Sequence, residues 1–208
     1  MTRTGLILDF GGVLTTPLLP AVLAFERREG LAEGAVITGL YFDPESAERT
    51  HRLERGAITQ TEWNVHAARS LGVDADHLMA RIFADLRPEP LMLTAAKAAR
   101  QAGVKVGVLS NSVGLDPWDL YAGYDLDARF DAVVISEHHG MRKPDVEIYH
   151  LMLGMLDLPG EACVFVDDSA QYLPPAAELG IATVLNEDPK TTITKLEALL
   201  GIPLLTEV

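Results

Sequence analysis

The sequence contains a single cysteine, Cys163, among 208 residues. No internal disulfide can form. Cys163 lies in the strand-like apolar run Cys163-Val164-Phe165-Val166, so it reads as a small core residue, not a reactive thiol. Cations are scarce as well: 17 Lys and Arg stand against 30 Asp and Glu, a formal net charge of −13 at pH 7. Nucleic acid and anionic membranes bind clustered positive charge, so neither is expected as a partner. An anionic substrate would have to rely on a local cation, because the global field does not steer it in. Long apolar runs are also missing. The N-terminus begins like a secretory signal at Thr2-Arg3, but Asp9 interrupts it and Pro17 and Pro20 break it again. It falls short of the ~18 apolar residues a membrane span needs, and a soluble cytoplasmic protein is the expectation. What the chain does have is 48% hydrophobic residues, enough for one core or a core plus a small accessory lobe.

Gly5-Leu6-Ile7-Leu8 is continuously apolar and predicts a fully buried parallel strand running to Asp9. Residues 20–87 then change character. Segments near 21–30, 44–55, 59–71 and 74–86 have helical periodicity, with Thr59 and Glu62 forming a capping box and Gly56 and Gly72 as stops. From Leu91 helices and strands alternate: helix 91–102, strand 104–109, strand 132–135, helix 145–156, strand 163–166, helix 173–179, strand 182–185 and helix 192–200. Such alternation predicts βαβ units in a doubly wound parallel α/β sheet with right-handed crossovers. The expected organisation is an α/β core of residues 1–16 and 88–208, with an all-helical cap inserted at 17–87.

Polar groups stand where these apolar strands end. Asp9 is delivered into the turn Phe10-Gly11-Gly12, Ser110-Asn111 closes Val104 to Leu109, and Asp167-Asp168 follows Val164-Phe165-Val166. Lys143 sits in Gly140-Met141-Arg142-Lys143-Pro144. Ligands of open α/β sheets bind at the carboxyl edge, and a carboxylate near a core strand is costly unless a cation or hydrogen-bond network uses it. Taken singly, each has a plain alternative: a strand-end Asp capping a turn, a Ser-Asn turn, a solvated basic turn, a helix N-cap cluster. Together, in the order acid, hydroxyl, cation, acid pair, they resemble the four motifs of the haloacid dehalogenase-like hydrolase superfamily over essentially the whole chain. Leu109-Ser110-Asn111, Gly140 to Pro144 and Val164 to Asp168 look like the branch that includes the phosphatase domain of soluble epoxide hydrolase and bacterial sugar-phosphate phosphatases.

That resemblance implies a Mg²⁺-dependent hydrolase of small phosphorylated metabolites. Asp9 would be the nucleophile, forming an aspartyl-phosphate. Asp9, the Gly11 carbonyl, Asp167 and Asp168 would hold Mg²⁺, with Asp168 direct and Asp167 direct or through water. Lys143 would hold a phosphoryl oxygen and keep Asp9 ionised. Ser110 and the Asn111 amide would donate to the same group.

One position departs from the pattern. Most phosphatases of the superfamily carry a second Asp two residues after the nucleophile, as general acid to the leaving group; here that residue is Gly11. A general acid is worth ~10²–10⁴-fold. Thr15, Thr16 and His51 are candidate replacements, and nothing in the spacing selects one. Two other functions stay open: a metal-free haloacid dehalogenase, which the Asp167-Asp168 pair opposes, and a low-activity or non-catalytic scaffold, which Gly11 keeps alive. The mixed-charge run Arg49, His51, Arg52, Glu54, Arg55 reads as a wet helix face or as a contact to the organic part of a substrate. Trp63 and Trp118 read as packing residues.

Overall fold

The computed structural model describes residues 2–205. Five parallel strands form its centre: β1 (Gly5–Leu8), β2 (Lys105–Ser110), β3 (Ala132–Ile135), β4 (Cys163–Asp167) and β5 (Ala182–Leu185), in the order β3-β2-β1-β4-β5. Side chains alternate across β1. Leu6 and Leu8 pack with Val106, Val108, Val164 and Val166 against α6 (Pro90–Gln101) and α10 (Pro189–Leu200). Ile7 faces the other way, with Leu109, Val134 and Phe165, toward α8 (Val146–Leu156) and α9 (Leu173–Glu178). Both faces are thus covered, as continuously apolar parallel strands require. The doubly wound α/β architecture expected from the sequence is the one observed.

Between β1 and β2 the chain is helical: α1 (Leu18–Glu29), α2 (Ala35–Ile37), a π-helical turn at Thr38–Phe42, α3 (Pro44–Glu54), α4 (Gln60–Leu71) and α5 (Leu78–Ile82). These elements share a hydrophobic cluster of their own, built on Phe25, Leu40, Leu53, Trp63, Leu78 and Phe83. The segment leaves and rejoins the sheet through a narrow neck, where Thr15 bridges Pro88 and the Thr16 amide donates to the Arg87 carbonyl at 2.8 Å. The Thr59–Glu62 capping box is present: the Thr59 amide donates to Glu62 at 2.8 Å and the Glu62 amide to Thr59 Oγ1 at 3.2 Å.

The helix expected at 74–86 shrinks to α5. Asp74 turns back to accept from the Asp76 amide at 2.9 Å, and His77 adopts φ 46°, which delays the helix until Leu78. Helix α1 starts at Leu18, ahead of Pro20, which a first helical turn tolerates because its missing N–H has no intrahelical partner there. A short α7 (Leu126–Arg129) was not anticipated. Among the described residues no helix is long and apolar enough to cross a membrane.

Candidate active site

Because β1 lies between β2 and β4, their carboxyl ends share one edge. Leu8 pairs with Val166, so one residue further on Asp9 stands level with Asp167, and its amide donates to the Val166 carbonyl at 2.9 Å. Lys143, fully buried, closes the gap. Its Nζ is 2.8 Å from Asp9 Oδ1 and 2.6 Å from Asp167 Oδ2. It also lies over two rings, 5.1 Å from the Tyr172 centroid and 5.5 Å from that of Phe165. Asp9 Oδ1 accepts from the Phe10 amide at 2.7 Å, and Asp167 Oδ1 from the Ser169 amide at 2.8 Å.

Asp168 is the third acid. One oxygen from each of Asp9, Asp167 and Asp168 fits within a 4.8 Å group. Three carboxylates therefore face one ammonium. Burial, and then the charge of Asp167, raise Asp9 above the ordinary carboxylate range against the pull of Lys143. Burial alone would lower Lys143, but the carboxylates of Asp9 and Asp167 outweigh it and raise it. Asp168 is exposed as a whole residue, yet its carboxylate lies against the Gly12 backbone. Partial desolvation and the Asp167 charge raise it to about 6. An all-oxygen set with surplus negative charge fits a hard divalent cation of the Mg²⁺ kind, which two or three carboxylates and a turn carbonyl such as that of Gly11 could hold.

The turn that presents Asp9 is shaped by Gly12, which has φ 71°; a Cβ there would lie 2.1 Å from Asp168 Oδ2. Only glycine gives both the left-handed backbone and the room for that carboxylate. Asn186, just past β5, steadies the turn. Its Nδ2 donates to the Gly12 carbonyl at 2.7 Å, while its Oδ1 accepts from Thr192 Oγ1 at 2.7 Å. Sequence reasoning missed Asn186, and a polar residue ending a strand on the site edge was its available signal.

Ser110 ends β2 on the same edge, buried, with Tyr121 Oη donating to its Oγ at 2.9 Å. Asn111 is used differently from its neighbour. Its Oδ1 accepts from the Lys143 amide at 2.8 Å and its Nδ2 donates to the Lys143 carbonyl at 3.1 Å, so its side chain clamps the lysine loop.

The helical insertion is tied to that same loop. Glu54, at the end of α3, forms an ion pair with Arg142, whose Nη2 also donates to Tyr172 Oη at 3.2 Å. Arg55 grips both oxygens of Asp145 at 3.1 and 3.0 Å. Burial pushes Glu54 up to about 6 despite the Arg142 guanidinium. Gln60 Nε2 donates to the carbonyls of Val113, Gly114 and Trp118, and its Oε1 accepts from the Trp118 amide. The mixed-charge run near Arg55 is therefore partly a fastening to the core: Glu54 and Arg55 reach across, whereas His51 lies beside Glu48 at 3.8 Å and Arg49 pairs with Glu45 at 3.2 Å on the insertion's own surface. Trp63 and Trp118 pack in the insertion's apolar cluster, Trp63 with its indole N–H on Thr50 Oγ1 at 3.0 Å.

A sheet of this order, with acids and a lysine gathered on its carboxyl edge and helices inserted after β1, is an open α/β fold whose acidic site lies where such sheets bind ligands. The sequence model of the haloacid dehalogenase-like hydrolases matches residues 4–180, and the chain belongs to that family. It is 38% identical to mouse acyl-CoA dehydrogenase family member 10 over 115 residues, 55% of this chain and 11% of that protein. It is 32% identical to pig bifunctional epoxide hydrolase 2 over 133 residues, 62% of this chain and 24% of that protein. The chain thus spans a minor part of both. Sesquiterpene phosphatase astK of Aspergillus oryzae matches along nearly its full length: 26% identity over 201 residues, 94% of this chain and 95% of that one. Among solved structures, a magnesium complex of a family enzyme from Bacteroides thetaiotaomicron superposes with a TM-score of 0.66 at 20% identity, covering 90% of this chain and 96% of that one, a likeness of fold.

Proposed function

We propose that this hydrolase cleaves small phosphomonoesters, with Mg²⁺, through a phospho-Asp9 intermediate. The observation that carries the reading is the buried Asp9–Lys143–Asp167 array with Asp168 beside it. Asp9, Asp167, Asp168 and the Gly11 carbonyl are the residues that would hold the cation. When bound, Mg²⁺ supplies charge neutralisation between these carboxylates and at the phosphoryl oxygens.

The remaining roles fall to the chain itself. Both Asp9 contacts, from the Phe10 amide and from Lys143, are on Oδ1, so Oδ2 is the oxygen that attacks phosphorus. Lys143 pulls that carboxylate toward its charged form, against burial and Asp167, and binds a phosphoryl oxygen. Ser110 Oγ and the Asn111 amide donate to the same group, and the Asn111 side chain keeps Lys143 in place. Residues 17–87 act as a cap over the entrance, fastened through Glu54–Arg142, Arg55–Asp145 and Gln60. A closed cap excludes water from the first step. The printed names of relatives lend support: a sesquiterpene phosphatase and a glyceraldehyde 3-phosphate phosphatase of Methanocaldococcus jannaschii, the latter 31% identical over 100 residues.

The test is a panel of phosphorylated metabolites, assayed for phosphate release with Mg²⁺ and with chelator, and a 2-haloacid assayed for halide release. Phosphate release that chelator removes is expected. Halide release indifferent to chelator, with no phosphate release, would overturn the reading in favour of dehalogenation.

A further inference from the structure

The position that usually carries the leaving-group acid is not merely without one here; its surroundings are apolar. A Cβ at Gly11 would lie 3.4 Å from both Leu18 methyls, so the first residue of α1 occupies the direction in which an acid would point. The residues that could substitute all have other partners. Thr15 Oγ1 is buried, accepts from the Gly12 amide at 3.0 Å and gives its proton to the Thr16 carbonyl at 2.9 Å. Thr16 Oγ1 accepts from the Arg87 amide at 3.2 Å, in the neck. His51 lies beside Glu48 with its side chain 41% exposed, and partial burial and the charges of Arg142 and Arg55 help hold its imidazole neutral. Tyr121 spends its proton on Ser110. Glu54 and Tyr172 both converge on the Arg142 guanidinium, Glu54 as its ion-pair partner and Tyr172 through its Oη. They stand on the lysine-loop side of the site and are the two groups the experiment must test.

We infer that this site expels its leaving group without protonating it, and that its substrates are phosphates of acidic hydroxyls: acyl, enol or aryl phosphates, not phosphates of ordinary alcohols. The inference rests on the phosphatase reading above and specifies its substrate class. In the first step Asp9 Oδ2 forms a bond to phosphorus, the bond from phosphorus to the substrate oxygen breaks, and its electron pair leaves on that oxygen as an anion. In the second step water attacks phosphorus. The Asp9–phosphorus bond breaks, the pair returns to the carboxylate, one water proton passes to solvent and the other stays with phosphate. A carboxylate is thus already the leaving group of the second step. An acyl phosphate asks the first step for a departing group of the same basicity, about 4 in pKa, and an aryl phosphate for one of about 10. An alkoxide, far more basic than either, is the group that needs a donor.

The experiment measures kcat/KM for an acyl, an aryl and an alkyl phosphate with saturating Mg²⁺, in the wild type, Gly11→Asp, Glu54→Gln and Tyr172→Phe, with thermal melting to confirm folding. The wild type should fall by ~10²–10⁴-fold from the activated phosphates to the alkyl phosphate. Gly11→Asp should narrow that gap, while Glu54→Gln and Tyr172→Phe should leave the ratio as it is. Comparable wild-type rates on all three substrates would overturn the inference while sparing the phosphatase reading. So would a selective loss of alkyl phosphate turnover in either of the last two variants, since it would reveal a proton donor. No turnover of any of the three would overturn both. The wild-type series decides the matter even if Gly11→Asp misplaces its carboxylate.

Discussion

Gly11 and Gly12 are adjacent in sequence and opposite in what they tolerate, and replacing each by alanine separates backbone strain from loss of the cation site. At Gly12, φ is 71°, and a Cβ would come 2.1 Å from Asp168 Oδ2 and 2.7 Å from its Cγ, so the carboxylate must move. An alanine in left-handed backbone costs about 1–2 kcal/mol. In a chain of this size each kcal/mol lowers Tm by about 2–4 °C, so Gly12→Ala should melt roughly 2–8 °C below the wild type. Displacing Asp168 removes an oxygen ligand, and the loss of Mg²⁺ affinity should be at least the ~10–100-fold typical of perturbing a metal site's supporting groups. At Gly11 the nearest atoms to a Cβ are the flexible Leu18 methyls at 3.4 Å, an ordinary contact. Gly11→Ala should therefore melt at or slightly above the wild type, as Gly-to-Ala changes do in compatible backbone by about 0.4–1 kcal/mol. Scanning fluorimetry gives the melting points, and titration calorimetry gives the Mg²⁺ affinity. If Gly12→Ala bound Mg²⁺ as the wild type does, the placement of Asp168 in the cation site would be wrong.

Asp9→Asn keeps the shape of the side chain but cannot attack phosphorus; circular dichroism should be unchanged while phosphatase activity vanishes, and near-wild-type activity would remove Asp9 from the nucleophile's role. Asp168→Ala should weaken Mg²⁺ binding in calorimetry, and equal affinity in both proteins would sink the ligand assignment. Glu54 is raised from 4.5 to about 6, chiefly by burial. An acid with a raised folded-state value contributes stability that is fully present below about pH 4.5 and lost as pH rises through about 6, about 2 kcal/mol in all. The stability of wild type relative to Glu54→Gln, measured by urea unfolding at several pH values, should fall across that window, and a rise would reverse the assigned sign.

Much of this architecture was legible because local chemistry marks it. The apolar run Gly5–Leu8, ending at the turn Gly11-Gly12, reads as a buried strand, and Thr59 with Glu62 announces a helix start that the structure realises with both reciprocal bonds. The clustering of Asp9, Ser110 and Asp167 on one edge follows from parallel pairing of β1 with β2 and β4, since each residue ends or follows an apolar strand. Where the reading failed, a local competitor won. The periodicity of 74–86 is helical, but the Asp74 side chain captured the Asp76 amide and broke the pattern before Leu78. The two ties that fasten the insertion and the turn were out of reach for a different reason. Arg55 meets Asp145 across 90 residues and Asn186 meets Gly12 across 174. Nothing within a local window distinguishes such a partner from any other surface arginine or strand-end asparagine.

Asn111 shows how a motif can be read correctly as a pair and still hide its division of labour. From sequence, Ser110 and Asn111 both read as donors to a phosphoryl group, one by hydroxyl and one by backbone amide. The structure adds a task that only an asparagine side chain performs at this position. Its Oδ1 and Nδ2 take the amide and the carbonyl of Lys143 at 2.8 and 3.1 Å, a two-point grip on the backbone of the residue whose Nζ joins Asp9 to Asp167. An aspartate could accept from that amide but would oppose the carbonyl, and a leucine would leave both groups without a partner in a buried site, at a cost of about 1–3 kcal/mol. The ends of β2 and β4, which β1 separates in the sheet, are therefore joined through the lysine that Asn111 holds. For that reason the acid, the hydroxyl, the cation and the acid pair converge although the lysine belongs to no strand.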